Sequence, residues 1–575
     1  MAKIAFLSLY DEFCLGVRQL VGNLRAAGHE APLICLKLYG KHHVVELNTE
    51  MNAEFQVQLL PDGSRQILCY PYEITEREYA HLRDTVEKLN PDAIGISAYS
   101  PQMMRTKEVT DFLKREFPDI PLIWGGPHAT LDPEDSAQAA DFAMIGEGDN
   151  ACFELMKILD EGRDIRECPS MAWFEDGEFK KNTLAPLVTD LDALPFTYHG
   201  EEDVHFIYDD LCTSTTPAAS DLTRTHKIMT SRGCPYSCTF CILSFQKEVM
   251  PDSTKLRFRS IEHVMQEMEG VKAERGSFFV EIFDDIFTMR KDRMRAFFDQ
   301  YTPKIGMPFW CYTHPRYATE AMIGMLAENN AQYVVMGIET GSDRVANEVF
   351  DRRTDNERVV EAAERIHRHG LRVFYDLISN NPFEAEEDRI EVLRTLRKLP
   401  KPFELQLVEL NFYPNIKIER MRREKGLPKK VDLESYRFWN AMYHVVSAID
   451  LSDEDIDRFI SDPAFRRQPE LLENLAAQTK RVADGKAESD LRHRNVEQEL
   501  QRQSQRVRAL ENELMEKTHR RGFRQFLWVS NNLRRIRHRI GGPRPTNGNG
   551  GPPSAAGGNG HGQFDTVVNV PRPQM

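Results

Sequence analysis

Apolar residues along this chain fall into short runs separated by stretches with helical spacing, and the two textures alternate. In residues 1–160 the runs Lys3–Leu9, Leu33–Leu38, Ala93–Ala98, Leu122–Trp124 and Phe142–Ile145 predict β-strands. Gly16–Ala27 predicts a helix, closed by Gly28. Strands and helices alternating in this way predict an α/β fold with a parallel, doubly wound sheet, whose ligand lies beyond the carboxyl ends of the strands. The turns at those ends are Tyr10–Gly16, Ser97–Gln102, Gly125–Pro133 and Gly146–Asn150, all rich in Gly, Ser, Pro and acids. Residues 161–222 contain Pro169, Pro186, Pro195 and Pro217 with little helical periodicity, and predict a connector.

A second βα series follows over 223–430. Its predicted strands are Lys227–Ser231, Phe278–Phe283, Phe309–Tyr312, Tyr333–Ile338, Arg372–Ile378 and Glu404–Phe412, with helical patterns between them. Such a series predicts a partial (β/α)6 barrel with its chemistry at the carboxyl ends of the strands. The texture then becomes polar and helical over 431–518, and the region after Pro414 is expected to close the barrel mouth and set specificity. Val496, Leu500, Gln503, Val507, Leu510 and Leu514 form a short heptad seam, which reads either as coiled-coil self-association or as a solvated helix. Residues 519–540 carry seven arginines and no acid among Phe523, Phe526, Trp528, Leu533, Ile536 and Ile540. That is the pattern of a basic amphipathic helix, suited to an anionic membrane surface or to the protein's own acidic surface. From Gly541 on, Gly and Pro dominate and predict a disordered tail.

Charge narrows the function. The 575 residues include 74 Lys plus Arg against 89 Asp plus Glu, a net charge of −15, which argues against general nucleic-acid binding. No apolar run is long enough to span a membrane, and Asp11 comes too early for a signal-peptide core. A cytoplasmic protein, with possible peripheral membrane contact, is expected. Seven of the ten cysteines are scattered singly, as buried apolar side chains are.

The other three form Cys234-Pro-Tyr-Ser-Cys238-Thr-Phe-Cys241 directly after the first strand of the second series. Three thiolates on one tight loop can hold three irons of a four-iron cubane and leave the fourth open. Structural zinc would need a fourth protein ligand at matched spacing, which is not evident; His226 is close in sequence but is placed before the strand, at its far end.

This array resembles the radical S-adenosylmethionine (SAM) superfamily over Lys227–Pro414. The resemblance implies a [4Fe-4S] cluster on Cys234, Cys238 and Cys241, with SAM chelated to the open iron and cleaved to a radical that removes a hydrogen atom. It also implies that Phe240 lies against the adenine. Asp284 and Asp285, ending the second strand, stand where the family contacts the methionyl amine; the alternative is that they cap the next helix. Glu339, in Gly337-Ile-Glu-Thr-Gly-Ser342, would reach the cofactor's polar groups. Ser379-Asn-Asn-Pro382 departs from the family's glycine-rich turn there.

The first domain is similar to the cobalamin-binding domain that precedes the radical module in one subgroup. The matching pieces are Gly95-Ile-Ser97-Ala-Tyr-Ser100, Gly125-Gly126-Pro-His-Ala-Thr130 and Gly146-Glu-Gly-Asp149. The resemblance implies that Ser97, Gly125, Gly126 and Gly146 border bound cobalamin. Domains that ligate cobalt from below use Asp-x-His-x-x-Gly, and here the stretch is Asp11-Glu-Phe13-Cys-Leu-Gly16. Phe13 has no lone pair, so no histidine lower ligand comes from this position. His128 is read as a loop hydrogen-bonder.

Together the resemblances imply an enzyme that makes a substrate radical and methylates it from cobalamin. Radical cyclisation or oxidation, as in the subgroup resembling the anaerobic magnesium-protoporphyrin monomethyl ester cyclase, uses the same cofactor residues. A cofactor-sensing interaction protein is the alternative of another class. The expected partners are a small-molecule or lipid-like substrate and an electron donor such as flavodoxin or ferredoxin.

Overall fold

The computed structural model describes residues 1–38, 57–59, 65–67 and 73–476, apart from 219, 402, 470 and 473. The heptad seam, the basic stretch and the Gly/Pro-rich tail lie outside the described residues.

The first sheet contains β1 (Ile4–Leu9), β2 (Leu33–Leu36), β3 (Ala93–Ser97), β4 (Leu122–Gly125) and β5 (Phe142–Met144). Four further strands, β6 (Met171–Glu175), β7 (Glu178–Lys181), β8 (Val204–Tyr208) and β9 (Leu211–Thr213), come from the stretch expected to be a connector. The order is β9-β8-β2-β1-β3-β4-β5-β6-β7, parallel from β8 through β5 and antiparallel at both edges. The central strands are covered on both faces, which is why they read as continuous apolar runs. Every residue of β1 is buried. One face packs under α1 (Leu15–Ala26) and α2 (Gly148–Asp160) through Phe6, Val17, Val21 and Leu155.

The second sheet holds β10 (Thr225–Ile228), β11 (Phe279–Ile282), β12 (Phe309–Thr313), β13 (Ala331–Glu339), β14 (Arg372–Ser379) and β15 (Glu404–Glu409). The six run parallel and in chain order, the partial barrel that the βα rhythm predicts. The first strand starts two residues earlier than expected. His226 is therefore inside β10 and fully buried, not ahead of the strand. Outside the barrel lie α3 (Ile242–Val249), α4 (Ile261–Arg275) and α5 (Glu386–Lys398).

The region after Pro414 divides its work. Ile416 and Ile418 pack with Phe350 and against Phe240 of the cysteine loop, and the Ile418 N–H donates to the Thr239 carbonyl at 3.0 Å. The long helix α6 (Leu433–Ala448) does not close the barrel mouth. It joins the core on the flank through Phe438, Met442 and Val446, because those apolar positions face α5 and the last strand. Among the described residues no helix is long and apolar enough to cross a membrane.

Candidate functional site

The cysteine loop is held from several directions. Ser231–Arg232, just before it, pairs antiparallel with Arg257–Phe258. The Thr239 N–H donates to the Phe350 carbonyl (3.0 Å) and its hydroxyl to the Val349 carbonyl (2.6 Å). Tyr236 stacks on His314 with ring centroids 4.5 Å apart. Cys241 then opens α3, and the Ser244 hydroxyl donates to the Cys238 carbonyl at 2.7 Å. Burial pushes the Cys234 thiol up to about 11 and the Cys241 thiol up to about 12, and it raises Cys238 too. Each thiol also feels the others or a nearby acid, so three thiolates there need a cation. The donor set fits an iron–sulfur cluster, whose binding would release the protons.

Asp284 serves the loop itself. It accepts from the Thr230 N–H (2.5 Å), the Thr230 hydroxyl (2.6 Å), the Ser231 N–H (3.2 Å) and the Ser231 hydroxyl (2.6 Å). It does not cap the next helix: Lys291–Lys304 begins after Arg290 with no side-chain cap. Asp285 stays beside the cysteines, its carboxyl raised to about 6 by burial and by the Asp284 charge. Phe240 is partly buried against Phe350, at 4.9 Å between ring centroids. Glu339 ends β13 in the left-handed region (φ 63°), its Oε1 3.3 Å from Arg352 Nη1. Burial raises its carboxyl. One strand over, Asp376 Oδ1 and Ser379 Oγ are buried without a hydrogen-bond partner. Orphaned polar atoms beside a buried carboxylate fit a polar ligand such as SAM.

The rim of the first sheet faces the barrel. Ser97, Gly125, Gly126 and Gly146 all line one cavity of about 930 Å³. A side chain on Gly125 would meet nothing within 4 Å, so the backbone there faces open space. Gly126 has φ 89°, and a Cβ would lie 3.3 Å from the Ala98 carbonyl and Ser97 Oγ. Gly146 also packs closely: a Cβ there would sit 2.7 Å from Met250 Sδ. The cavity continues as a slot between the sheet (Ile4, Phe6, Gly95) and the helices (Val17, Leu20, Leu155). An apolar slot opening onto a glycine rim fits a corrin with a buried nucleotide tail.

Phe13 lines the same cavity with its ring 3.9 Å from Lys227 Nζ. His128 lies in a short helix, Pro127–Leu131, rather than a loop, and has both ring nitrogens engaged, with Ser100 Oγ at 2.9 Å and Asp135 Oδ2 at 3.2 Å.

Sequence reasoning missed the opposite wall. Lys227, Glu281, Trp310 and Tyr333 stand level across four strands and point into the cavity. Phe283, Tyr312 and Phe374 complete an aromatic surface. The period-2 alternation of the strands was the available signal. Also missed was the contact between the two halves. Arg232 Nη1 donates to Asp149 Oδ2 (2.6 Å) and Glu147 Oε2 (3.0 Å), and Arg257 pairs with Glu147 through both terminal nitrogens. Arg232 lies two residues before Cys234, and Glu147 follows Gly146. One ionic group thus joins the glycine rim to the cysteine loop.

A doubly wound α/β domain and a parallel half-barrel thus meet at one cavity with a three-thiol loop beside it. Comparison with known families agrees. Residues 8–156 match the B12 binding domain and residues 228–396 the radical SAM superfamily, so the chain joins a B12-binding domain to a radical SAM domain. It is 25% identical over 325 residues to an uncharacterized methyltransferase of Pyrococcus horikoshii, covering 56% of this chain and 67% of that protein. It is 21% identical over 368 residues to the anaerobic magnesium-protoporphyrin IX monomethyl ester cyclase of Rubrivivax gelatinosus, covering 62% of each. Thus the chain spans about two thirds or less of the length of these relatives. In fold it is similar to the radical SAM methyltransferase TsrM of Kitasatospora setae, solved with tryptophan substrate and a SAM analogue (TM-score 0.53, 15% identity, 73% of this chain and 76% of that one).

Proposed function

We propose that this protein is a cobalamin-dependent radical SAM methyltransferase acting on an unactivated carbon of a small, largely apolar substrate. One observation carries the reading: the glycine rim and the aromatic barrel wall border the same cavity of about 930 Å³. Cys234, Cys238 and Cys241 would hold the [4Fe-4S] cluster, Asp285 and Glu339 would serve SAM, and Ser97, Gly125 and Gly126 would border cobalamin without a protein histidine below the cobalt. When bound, the cluster and SAM supply hydrogen-atom abstraction and cobalamin supplies the methyl group.

The chain's own residues position and seal. The Asp284 hydrogen bonds fix the backbone that leads into the cysteine loop. Trp310, Tyr333 and Phe374 give the substrate an apolar bed that excludes water. Lys227 and Glu281, 3.5 Å apart on that bed, supply a charged handle for orientation. The electron comes from a flavodoxin- or ferredoxin-type donor.

The test is anaerobic incubation of cluster- and cobalamin-loaded protein with SAM, reductant and a small-molecule extract of the source cells. Methyl transfer consumes SAM in two ways, so 5′-deoxyadenosine and S-adenosylhomocysteine should both accumulate. Deoxyadenosine alone would point to radical cyclisation or oxidation. Neither product, with all cofactors bound, would refute an enzyme and favour a cofactor sensor.

A further inference from the structure

Away from the cavity, behind the first barrel strand, three ligand-type side chains meet in the interior. Because Lys227 faces the cavity, strand alternation turns His226 to the opposite face, under α4. Glu267, on that helix, places Oε1 3.4 Å from His226 Nε2. His199, from the segment between the two sheets, brings its Nε2 to 3.9 Å from the same oxygen. The three ligand atoms all lie within 4.8 Å of one another. Their side chains are 9%, 0% and 2% exposed for His199, His226 and Glu267.

None of the five polar atoms here makes a well-formed hydrogen bond: both ring nitrogens of His199, both of His226, and Glu267 Oε1, whose nearest approach is His226 Nε2 at 3.4 Å. Buried polar atoms left unsatisfied at one point call for an occupant. The other carboxylate oxygen is engaged: Arg259 Nη2 donates to Glu267 Oε2 at 2.6 Å. That bond orients the carboxylate and leaves Oε1 directed at the imidazoles, as outer partners of metal ligands do.

We infer that His199, His226 and Glu267 form a binding site for a divalent transition-metal cation, best matched by zinc, separate from the iron–sulfur centre. Two imidazoles and one carboxylate are a recognised zinc donor set, with bonds of about 2.0–2.2 Å that put neighbouring ligand atoms roughly 3.3 Å apart. The spacings to Glu267 Oε1 are 3.4 and 3.9 Å and all three ligand atoms lie within 4.8 Å, so the side chains would close in around an ion. A small exogenous ligand would complete the fourth position of such an ion. The site would staple two parts of the molecule. The His199 segment is fixed to the first domain, where Arg18 Nη1 donates to the Tyr198 carbonyl at 3.1 Å, whereas His226 and Glu267 belong to the barrel.

The test uses full-length protein in which Cys234, Cys238 and Cys241 are all replaced by Ala, so zinc cannot occupy the cluster loop. After exposure to Zn²⁺ alone and gel filtration, about one zinc per chain is expected, with an X-ray absorption spectrum of nitrogen and oxygen neighbours, imidazole scattering and no sulfur. Adding His226→Ala should remove the ion, and Glu267→Gln should weaken it tenfold or more. Absence of zinc, or zinc with sulfur in its shell, overturns the assignment and leaves a buried water as the occupant. The spectrum needs no histidine variant, so misfolding of His226→Ala cannot mask the answer.

Discussion

Replacing Glu147 by Ala should loosen the joint between the glycine rim and the cysteine loop. Glu147 accepts from Arg232 at 3.0 Å and from both terminal nitrogens of Arg257. Arg257 is 7% exposed, and once Glu147 is gone its guanidinium keeps only the Val188 carbonyl at 2.7 Å. Removing one partner of a buried ion pair costs about 3–5 kcal/mol. Glu147 itself is 23% exposed, so water recovers part of that, and roughly 2–3 kcal/mol is the expected loss. Arg257→Ala should cost a similar amount, and the double variant should cost clearly less than the sum. The coupling is about 1–2 kcal/mol, read from urea-unfolding free energies in a double-mutant cycle. Cobalamin affinity and SAM cleavage, assayed separately, should each survive better than their coupled product. A coupling near zero would refute the idea that this pair joins the two halves.

Cys234→Ala, Cys238→Ala or Cys241→Ala should each abolish the cubane absorbance and SAM cleavage, whereas Cys35→Ala, fully buried in the first domain, should spare both. The Co(II) electron paramagnetic resonance spectrum of cobalamin-loaded protein should show no nitrogen splitting from a protein imidazole; splitting that vanishes in His128→Ala would contradict the hydrogen-bonding role of His128. Burial, reinforced by the Glu339 charge, raises Asp376 from 3.8 to about 7. Folded protein without cofactors therefore holds a proton that the unfolded chain has lost, and stability falls as pH rises from about 4 to about 7, by a few kcal/mol at ~1.4 kcal/mol per pH unit. Asp376→Asn should flatten that part of the stability profile, and an unchanged slope would refute it.

The barrel strands and the cysteine loop were readable from sequence for different reasons. Strands covered on both faces must be apolar throughout, and three ligands on one loop are contiguous in the chain. The edge strands were not readable: Glu178–Lys181 is Glu-Phe-Lys-Lys, exposed at both ends with only Phe179 apolar, too little for a strand signal. The rim-to-loop ionic group joins residues 83 to 110 positions apart, and nothing local marks such a pairing. Asp284 showed why position alone is insufficient. The motif placed it beside the cofactor, yet the donors of Thr230 and Ser231 take up both its oxygens. His226 was displaced by a shift of two residues at a strand start, which moved it from a presumed loop to a buried face.

The central claim is that one cavity serves two cofactors. The most direct measurement is anomalous X-ray scattering at the iron and cobalt edges from crystals of anaerobically loaded protein. The account predicts an iron peak within bonding distance of Cys234, Cys238 and Cys241. It predicts a cobalt peak inside the cavity bordered by Gly125, Gly126, Trp310 and Tyr333. Cobalt elsewhere, or absent from protein that carries its cluster, would contradict it.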